Sequence, residues 1–310
     1  MLFCSCNEKK SSGNSGTNGK LIVFHAGSLS VPFRQLARSF EETNPEAEVQ
    51  LESAGSVACA RKITDLHRSC DVIASADYKV IDEMLVPDYA AWNIQFAQNE
   101  IAIVYGTESN YSTEINADNW YEILLREDVT FGRSDPHADP CGYRTKLSVE
   151  LAEQFHGVEG LFDKLMSKDR EYIRPKEVDL LALMEVGAID YMFIYSSVAV
   201  QHNLPYLQLN DSLNLKNPDL KSWYAGASTQ IHGKKPGEKL TIVGEPIVYG
   251  ITILNEAPNP RLAEKFVAFL LDREKGGTIM KNCGQGFLSP PVSLQAERLP
   301  LHLKKYCIEQ

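Results

Sequence analysis

Two short segments of the chain carry the same pair of residues at the same kind of junction. Gly27-Ser28 follows the apolar run Leu21-Ile22-Val23-Phe24, and Gly55-Ser56 follows Val49-Gln50-Leu51-Glu52. Each pair opens a stretch with helical spacing. Glycine lets another backbone approach closely or adopts positive φ. Serine adds a hydroxyl donor, and the start of a helix adds unpaired N–H groups and a partial positive charge. A strand, a Gly-Ser turn and a helix in that order can therefore hold an anion. A serine in such a place can also serve only as a helix cap. One loop would favour capping, whereas two at matching junctions bring anion binding level with it.

Other chemistries find less support. The chain has no G-x-x-x-x-G-K-[ST] loop for a nucleotide and no G-x-S-x-G nucleophile elbow. Its seven histidines show no H-x-x-x-H spacing. Cys141 has His137 nearby in sequence, but a buried cysteine is the commoner use of such a residue than a nucleophile. Cys59, Cys70, Cys283 and Cys307 show no C-x-x-C spacing, which argues against structural zinc. In an oxidising compartment Cys59–Cys70 and Cys283–Cys307 could pair, and buried free thiols are the alternative.

Charge narrows the field further. The net charge is −10, so no basic face is expected for nucleic acid. An anionic ligand would have to be held by local dipoles and hydrogen bonds rather than drawn in by the overall field. At 44% hydrophobic and 23% charged residues the composition is that of a globular protein. No run approaches the roughly 18 apolar residues of a membrane span. Residues 1–19 stand apart: Met1-Leu2-Phe3-Cys4-Ser5-Cys6 leads into a tether rich in Ser, Gly, Asn, Lys and Thr. This start resembles the end of a bacterial lipoprotein signal, with Cys6 as the acylated residue and Cys4 as the other candidate.

The elements that must position the two loops are legible from periodicity. The runs 21–24, 49–52 and 71–74 read as strands. Between them lie helices, the first with Phe33, Leu36, Ala37 and Phe40 on one face and a stop at Asn44-Pro45. This β-α-β-α-β start marks a parallel sheet with crossover helices. Further strands are expected at 101–105, 129–132, 189–195 and 247–254, and helices at about 143–155, 177–185 and 257–272. Ligands of open parallel sheets sit beyond the carboxyl ends of the strands, so two such units facing one another would enclose a cleft.

Several ordered motifs carry a family resemblance. Phe24-His25-Ala26-Gly27-Ser28-Leu29 resembles the first ligand loop of molybdate/tungstate-binding proteins. Asp139-Pro140-Cys141-Gly142-Tyr143-Arg144, Arg174-Pro175-Lys176-Glu177-Val178-Asp179-Leu180, Phe193-Ile194-Tyr195-Ser196-Ser197-Val198-Ala199 and Pro246-Ile247-Val248-Tyr249-Gly250-Ile251-Thr252 resemble their archaeal-type branch. The resemblance runs over about residues 20–294. It implies an α/β chain with the type II periplasmic binding protein fold, two lobes and a ligand cleft between them. Residues 20–98 plus 253–310 would form lobe I and residues 99–252 lobe II, after the tether 1–19. The resemblance also implies a monomeric solute-binding protein that serves the permease of an ABC importer. It would lie in the periplasm or on the cell surface, reaching the membrane only through a lipid anchor. No cofactor and no catalysis are implied; the ligand is molybdate or tungstate.

Roles follow from the motifs residue by residue. Gly27-Ser28 and Gly55-Ser56 would bind the oxyanion from lobe I, and the Cys141 and Val178 N–H groups and the Tyr195 hydroxyl from lobe II. Asp139 and Glu177 would reach the metal itself and make it six-coordinate. Without the resemblance, both carboxylates read as solvated residues at helix starts. A carboxylate beside a dianion is repulsive, so the pair makes sense only if its hard oxygens coordinate a high-valent centre. A sulfate or phosphate binder gains nothing from them, and an enzyme on a two-lobed scaffold would need catalytic groups that are not visible.

Overall fold

The computed structural model describes residues 19–168, 170–233 and 237–309. Strands in chain order are β1 (Lys20–Ala26), β2 (Glu48–Ala54), β3 (Val72–Ser75), β4 (Ile94–Gln98), β5 (Ile101–Tyr105), β6 (Phe131–Ser134), β7 (Ile173–Arg174), β8 (Tyr191–Tyr195), β9 (Tyr206–Gln208), β10 (Ser228–His232), β11 (Lys239–Val243), β12 (Val248–Ile253), β13 (Gly286–Ser293) and β14 (Ile308–Glu309). They form a seven-stranded sheet in the order β14-β13-β4-β12-β3-β1-β2, a five-stranded sheet β7-β6-β8-β5-β9, and the hairpin β10-β11. The expected α/β class and two-lobed architecture are thus present.

Each sheet has a parallel half with helices following its strands. In the larger sheet β2, β1 and β3 run parallel, with α1 (Ser30–Thr43) after β1, α2 (Ser56–Thr64) after β2 and α3 (Tyr78–Met84) after β3. Phe33, Leu36, Ala37 and Phe40 of α1 are all buried, as their spacing implies. Phe40 meets Phe266 of the helix Pro260–Leu271 edge-on at 5.3 Å. Asp71, expected inside the third strand, lies just before β3. Its buried carboxylate accepts the Ile22 N–H at 2.7 Å and the Asn259 N–H at 2.5 Å. A side chain thus completes what the ladder leaves open. In the smaller sheet β7, β6 and β8 run parallel, and β5 and β9 close it antiparallel.

The chain crosses between the sheets twice. It leaves β4 and enters β5 across Asn99-Glu100, close to the expected boundary at 98/99. The expected return at 252/253 falls inside β12. All of β12 from Val248 pairs with β3 and β4 in the larger sheet, so the return precedes Val248. A boundary cannot split one strand that is hydrogen-bonded on both sides. The polar region 204–245 holds β9, short helices and the β10–β11 hairpin. Apolar residues of that hairpin, Ile231 and Leu240, pack with α2 and α3 of the larger lobe.

The described cysteines Cys59, Cys70, Cys141, Cys283 and Cys307 are all unpaired thiols. The alternative pairs Cys59–Cys70 and Cys283–Cys307 are therefore not formed, and Cys59, Cys70 and Cys283 are buried among apolar neighbours instead. Cys4 and Cys6 lie outside the described residues. No described helix is long and apolar enough to cross a membrane.

Candidate functional site

Register brings the two Gly-Ser loops side by side. Ala26 at the carboxyl end of β1 is directly opposite Ala54 at the carboxyl end of β2. The chain then turns into the 3-10 turn Gly27–Leu29 and, two residues past Ala54, into α2. From the other lobe, the loops after β6, β7 and β8 face them. Asp139 caps the helix α5 (Pro140–His156) after α4 (Trp120–Leu124) and β6. The 3-10 turn Glu177–Asp179 follows β7, and the helix Ser196–His202 follows β8. Every candidate residue thus lies at the carboxyl end of a parallel strand, which is where an α/β sheet exposes its loops.

The lobes are closed on one another. A Cβ added to Gly55 would stand 2.3 Å from the Ala138 carbonyl oxygen, and one added to Gly27 would stand 2.7 Å from Glu177 Oε2. The Ala58 N–H donates to the Ala138 carbonyl at 3.1 Å across the cleft. Deeper in, the Arg144 guanidinium of α5 reaches the other lobe. Its Nη1 donates to the Ala76 carbonyl at 2.6 Å, and its Nη2 lies 3.1 Å from Asp77 Oδ2. The Tyr143 hydroxyl donates to the same Asp77 oxygen at 2.5 Å. An open cavity of about 370 Å³ lies at the hinge beside Gln98–Glu100 and Gln285, and one of about 390 Å³ lies at the C-terminal end of α2 beside His67 and Cys70.

Ser28 and Ser56 are fully buried, and neither side chain caps a helix. Ser56 Oγ accepts the Ala76 N–H at 2.9 Å, and the Ser28 hydroxyl lies 2.9 Å from the Tyr249 hydroxyl. Capping, the competing role for these serines, is therefore not what they do. His25 beside them adds no cation, because burial pushes its pKa down to about 4. Tyr195 is buried and its oxygen accepts from Arg144 Nη1 at 3.2 Å. Val178 is half-buried in the turn next to Glu177. Cys141 differs from expectation: its N–H already donates to Asp139 Oδ1 at 3.2 Å, as the N–H at this position of a capped helix does. Burial also pushes the Cys141 thiol well above its usual range, which leaves it unfit as a nucleophile.

Asp139 and Glu177 meet although they stand 38 residues apart. Asp139 Oδ2 accepts the Glu177 N–H at 2.9 Å. Both carboxylates are buried rather than solvated, against the plain reading of acidic residues at helix starts. Burial raises the pKa of Asp139. For Glu177 burial, then the nearby charge of Asp139, push it well above the carboxylate range, and the N–H groups of Glu177 and Ser28 close by offset this only in part. Both Glu177 oxygens are buried without a hydrogen-bond partner. Among the described residues no three His, Cys, Asp or Glu gather as metal ligands. Two carboxylates do not make a resident cation site, but they can complete the shell of a metal that arrives with its own oxygens.

The chain is matched over residues 21–282 by the model of the bacterial extracellular solute-binding protein family. It belongs to that family. One solute-binding relative, an uncharacterised protein of Petrotoga mobilis, is 48% identical over 93% of this chain and 90% of its own. A family relative from Thermococcus kodakarensis, the molybdate/tungstate-binding protein WtpA, is 44% identical over 91% of this chain and 87% of its own. Among solved structures, the periplasmic molybdate-binding protein of Azotobacter vinelandii superposes with a TM-score of 0.64. It is 18% identical and covers 87% of this chain and 99% of that one. At that identity the likeness speaks for the two-lobed solute-binding fold.

Reading motifs alone missed the residues behind the donors: Arg144 and Tyr249, with Asp77, Asn99 and Gln285. The signal available for Asn99 was a polar Asn-Glu pair interrupting two apolar strands. Arg144 and Tyr249 lay within quoted motifs but carried no role.

Proposed function

We propose that this protein captures molybdate or tungstate outside the cytoplasm and delivers it to the permease of an ABC importer. One observation carries the reading: the fully buried Glu177 carboxylate, with neither oxygen hydrogen-bonded, faces Gly27 in a closed cleft beside Asp139 and the serine loops. Beside a plain sulfate or phosphate such a group is a defect once it is ionised. At 4 Å and an effective dielectric of about 20, each pair of like unit charges costs roughly 4 kcal/mol. Beside a molybdenum or tungsten centre it becomes a ligand. The name of the Thermococcus relative agrees with this choice of anion.

In this reading Ser28, Ser56 and Tyr195 donate to the oxyanion together with the backbone around Gly27, Gly55 and Val178. Asp139 and Glu177 coordinate the metal. The Cys141 N–H contributes only if Asp139 turns from its cap toward the metal. The protein acts as a monomer without catalysis, and acylation at Cys6 tethers it to the outer face of a bacterial membrane.

Titration calorimetry tests the ligand class. Molybdate and tungstate should bind tightly at one site per chain, and sulfate and phosphate far more weakly. Equal affinity for sulfate would remove the metal-centred reading. Ser28→Ala and Ser56→Ala should each lose a charge-assisted hydrogen bond, about 1.5–3 kcal/mol of binding. If both single variants bind normally in the same calorimeter, these hydroxyls do not touch the ligand.

A further inference from the structure

We propose that Tyr249 and Asn99 are positioning residues that keep the Ser28 hydroxyl hydrogen turned toward the anion, so that the hinge between the lobes prepares a ligand donor. The inference rests on the oxyanion-binding reading above and adds to it two residues that need not touch the ligand.

The direction of the relay follows from the hydrogen-bond inventory. Between two hydroxyls 2.9 Å apart, as in Ser28 and Tyr249, either oxygen can donate. Asn99 decides. The Glu100 N–H donates to Asn99 Oδ1 at 3.0 Å, so that atom must be the amide oxygen. The other end of the amide is then the NH₂ group, and its two shortest contacts are Ser197 Oγ at 2.8 Å and the Tyr249 hydroxyl oxygen at 2.9 Å. Because Nδ2 only donates, the phenol oxygen accepts there and its own hydrogen passes to Ser28 Oγ. Ser28 then has its hydrogen left for the cleft. Were the relay reversed, Ser28 would spend that hydrogen on Tyr249 and turn lone pairs toward an anion.

Two neighbouring donors follow the same logic. Ser56 Oγ accepts from the Ala76 N–H, and the Tyr195 oxygen accepts from Arg144, a group with no acceptor atom. Each hydroxyl therefore meets a donor on the protein side. The relay at Ser28 is distinct because it starts at the hinge. Asn99 lies where the chain passes from β4 to β5, and Gln285 Nε2, beside β13, donates to the Ser28 carbonyl at 3.2 Å. Tyr249 comes from β12, just after the return crossing. Chains of hydrogen bonds polarise one another, so a hydroxyl fed by this relay is a stronger donor than an isolated one.

A double-mutant cycle on the full chain, with molybdate titrated in a calorimeter, tests the proposal. Tyr249→Phe should weaken molybdate about fivefold in the parent protein and less than about twofold in a Ser28→Ala background, because its effect runs through that hydroxyl. A packing role would give the same loss in both backgrounds, and that result overturns the proposal. Asn99→Asp puts an acceptor where the amide donates and should reverse the relay. It should weaken molybdate more than Ser28→Ala does, and the excess should vanish when combined with Tyr249→Phe; persistence of the excess also overturns the proposal. If Tyr249→Phe does not fold, Asn99→Asp alone decides the matter: molybdate binding no weaker than that of Ser28→Ala overturns the proposal. Failure of the parent protein to bind molybdate would instead count against the oxyanion reading itself.

Discussion

Gly55→Ala should cost the protein its tight binding while leaving both lobes folded. Gly55 has φ −58° and ψ 144°, which alanine adopts without strain. The obstacle is the other lobe: the new methyl would lie 2.3 Å from the Ala138 carbonyl oxygen, and 3.0 Å from the Asp139 Cβ. Neither is the end of a flexible chain. Overpacking of this kind costs about 1–3 kcal/mol where neighbours can shift, which is roughly a ten- to hundredfold loss of affinity. Where they cannot, the cleft stays open and the donors of the second lobe are lost too. Calorimetry with tungstate measures the loss, and small-angle scattering with saturating tungstate should show that the compaction of the parent on binding is absent. Parent-like affinity in the variant would mean that the ligand-bound cleft is wider than the closed form described above.

Neutralising the two buried carboxylates should separate coordination from proximity. If Asp139 and Glu177 merely stand near the anion, Asp139→Asn and Glu177→Gln remove repulsion and strengthen binding. If their oxygens complete the metal shell, each change weakens molybdate and tungstate, by roughly 10–100-fold on the scale of losses at metal sites. X-ray absorption should show six oxygen neighbours around tungsten in the parent and four in the double variant. A four-coordinate parent would remove these two residues from the shell and leave the serine loops standing.

The same pair sets a pH dependence whose sign can be worked out. Burial raises Glu177 in the folded, ligand-free protein, so the folded state binds its proton more tightly than the unfolded chain does. The stabilisation from that proton is complete below the unfolded carboxylate range, near 4.3, and is lost as pH rises through the raised folded value. The melting temperature of the ligand-free protein should therefore fall with rising pH in that window, and Glu177→Gln should flatten the slope. Melting curves at several pH values, with and without molybdate, read this directly.

Much of the frame was visible before any coordinates. The helix α1 face at Phe33, Leu36, Ala37 and Phe40 shows in its periodicity, because burial on one face writes itself into local spacing, and the strand 101–105 shows as a short continuous apolar run buried on both faces. Element ends were less visible. The helix expected from Tyr143 begins at Pro140, since Asp139 caps it and Pro140 occupies its first turn. The strand expected at 129–132 runs from Phe131 to Ser134, and the expected helix 177–185 opens as a 3-10 turn. Local spacing says little about where a ladder or an α-helical turn takes its first bond.

The sequence by itself determined the β-α-β-α-β start, the two Gly-Ser loops and, through its motifs, a family and a set of candidate ligands. All of these depend on residues within one loop or one element, so the chain's order records them. Tertiary structure alone decided which candidates meet. Asp139 and Glu177 become one buried pair across 38 residues, and Ser28 meets Tyr249 across 221. It also decided that the serines orient on Ala76 and Tyr249 instead of capping helices, that the described cysteines stay apart as thiols, and that β12 belongs to the larger sheet. The reason is physical: a carboxylate is solvated or buried, and a hydroxyl points one way or another, only once two lobes have closed around it. No spacing along one strand or helix encodes the register of one lobe against the other.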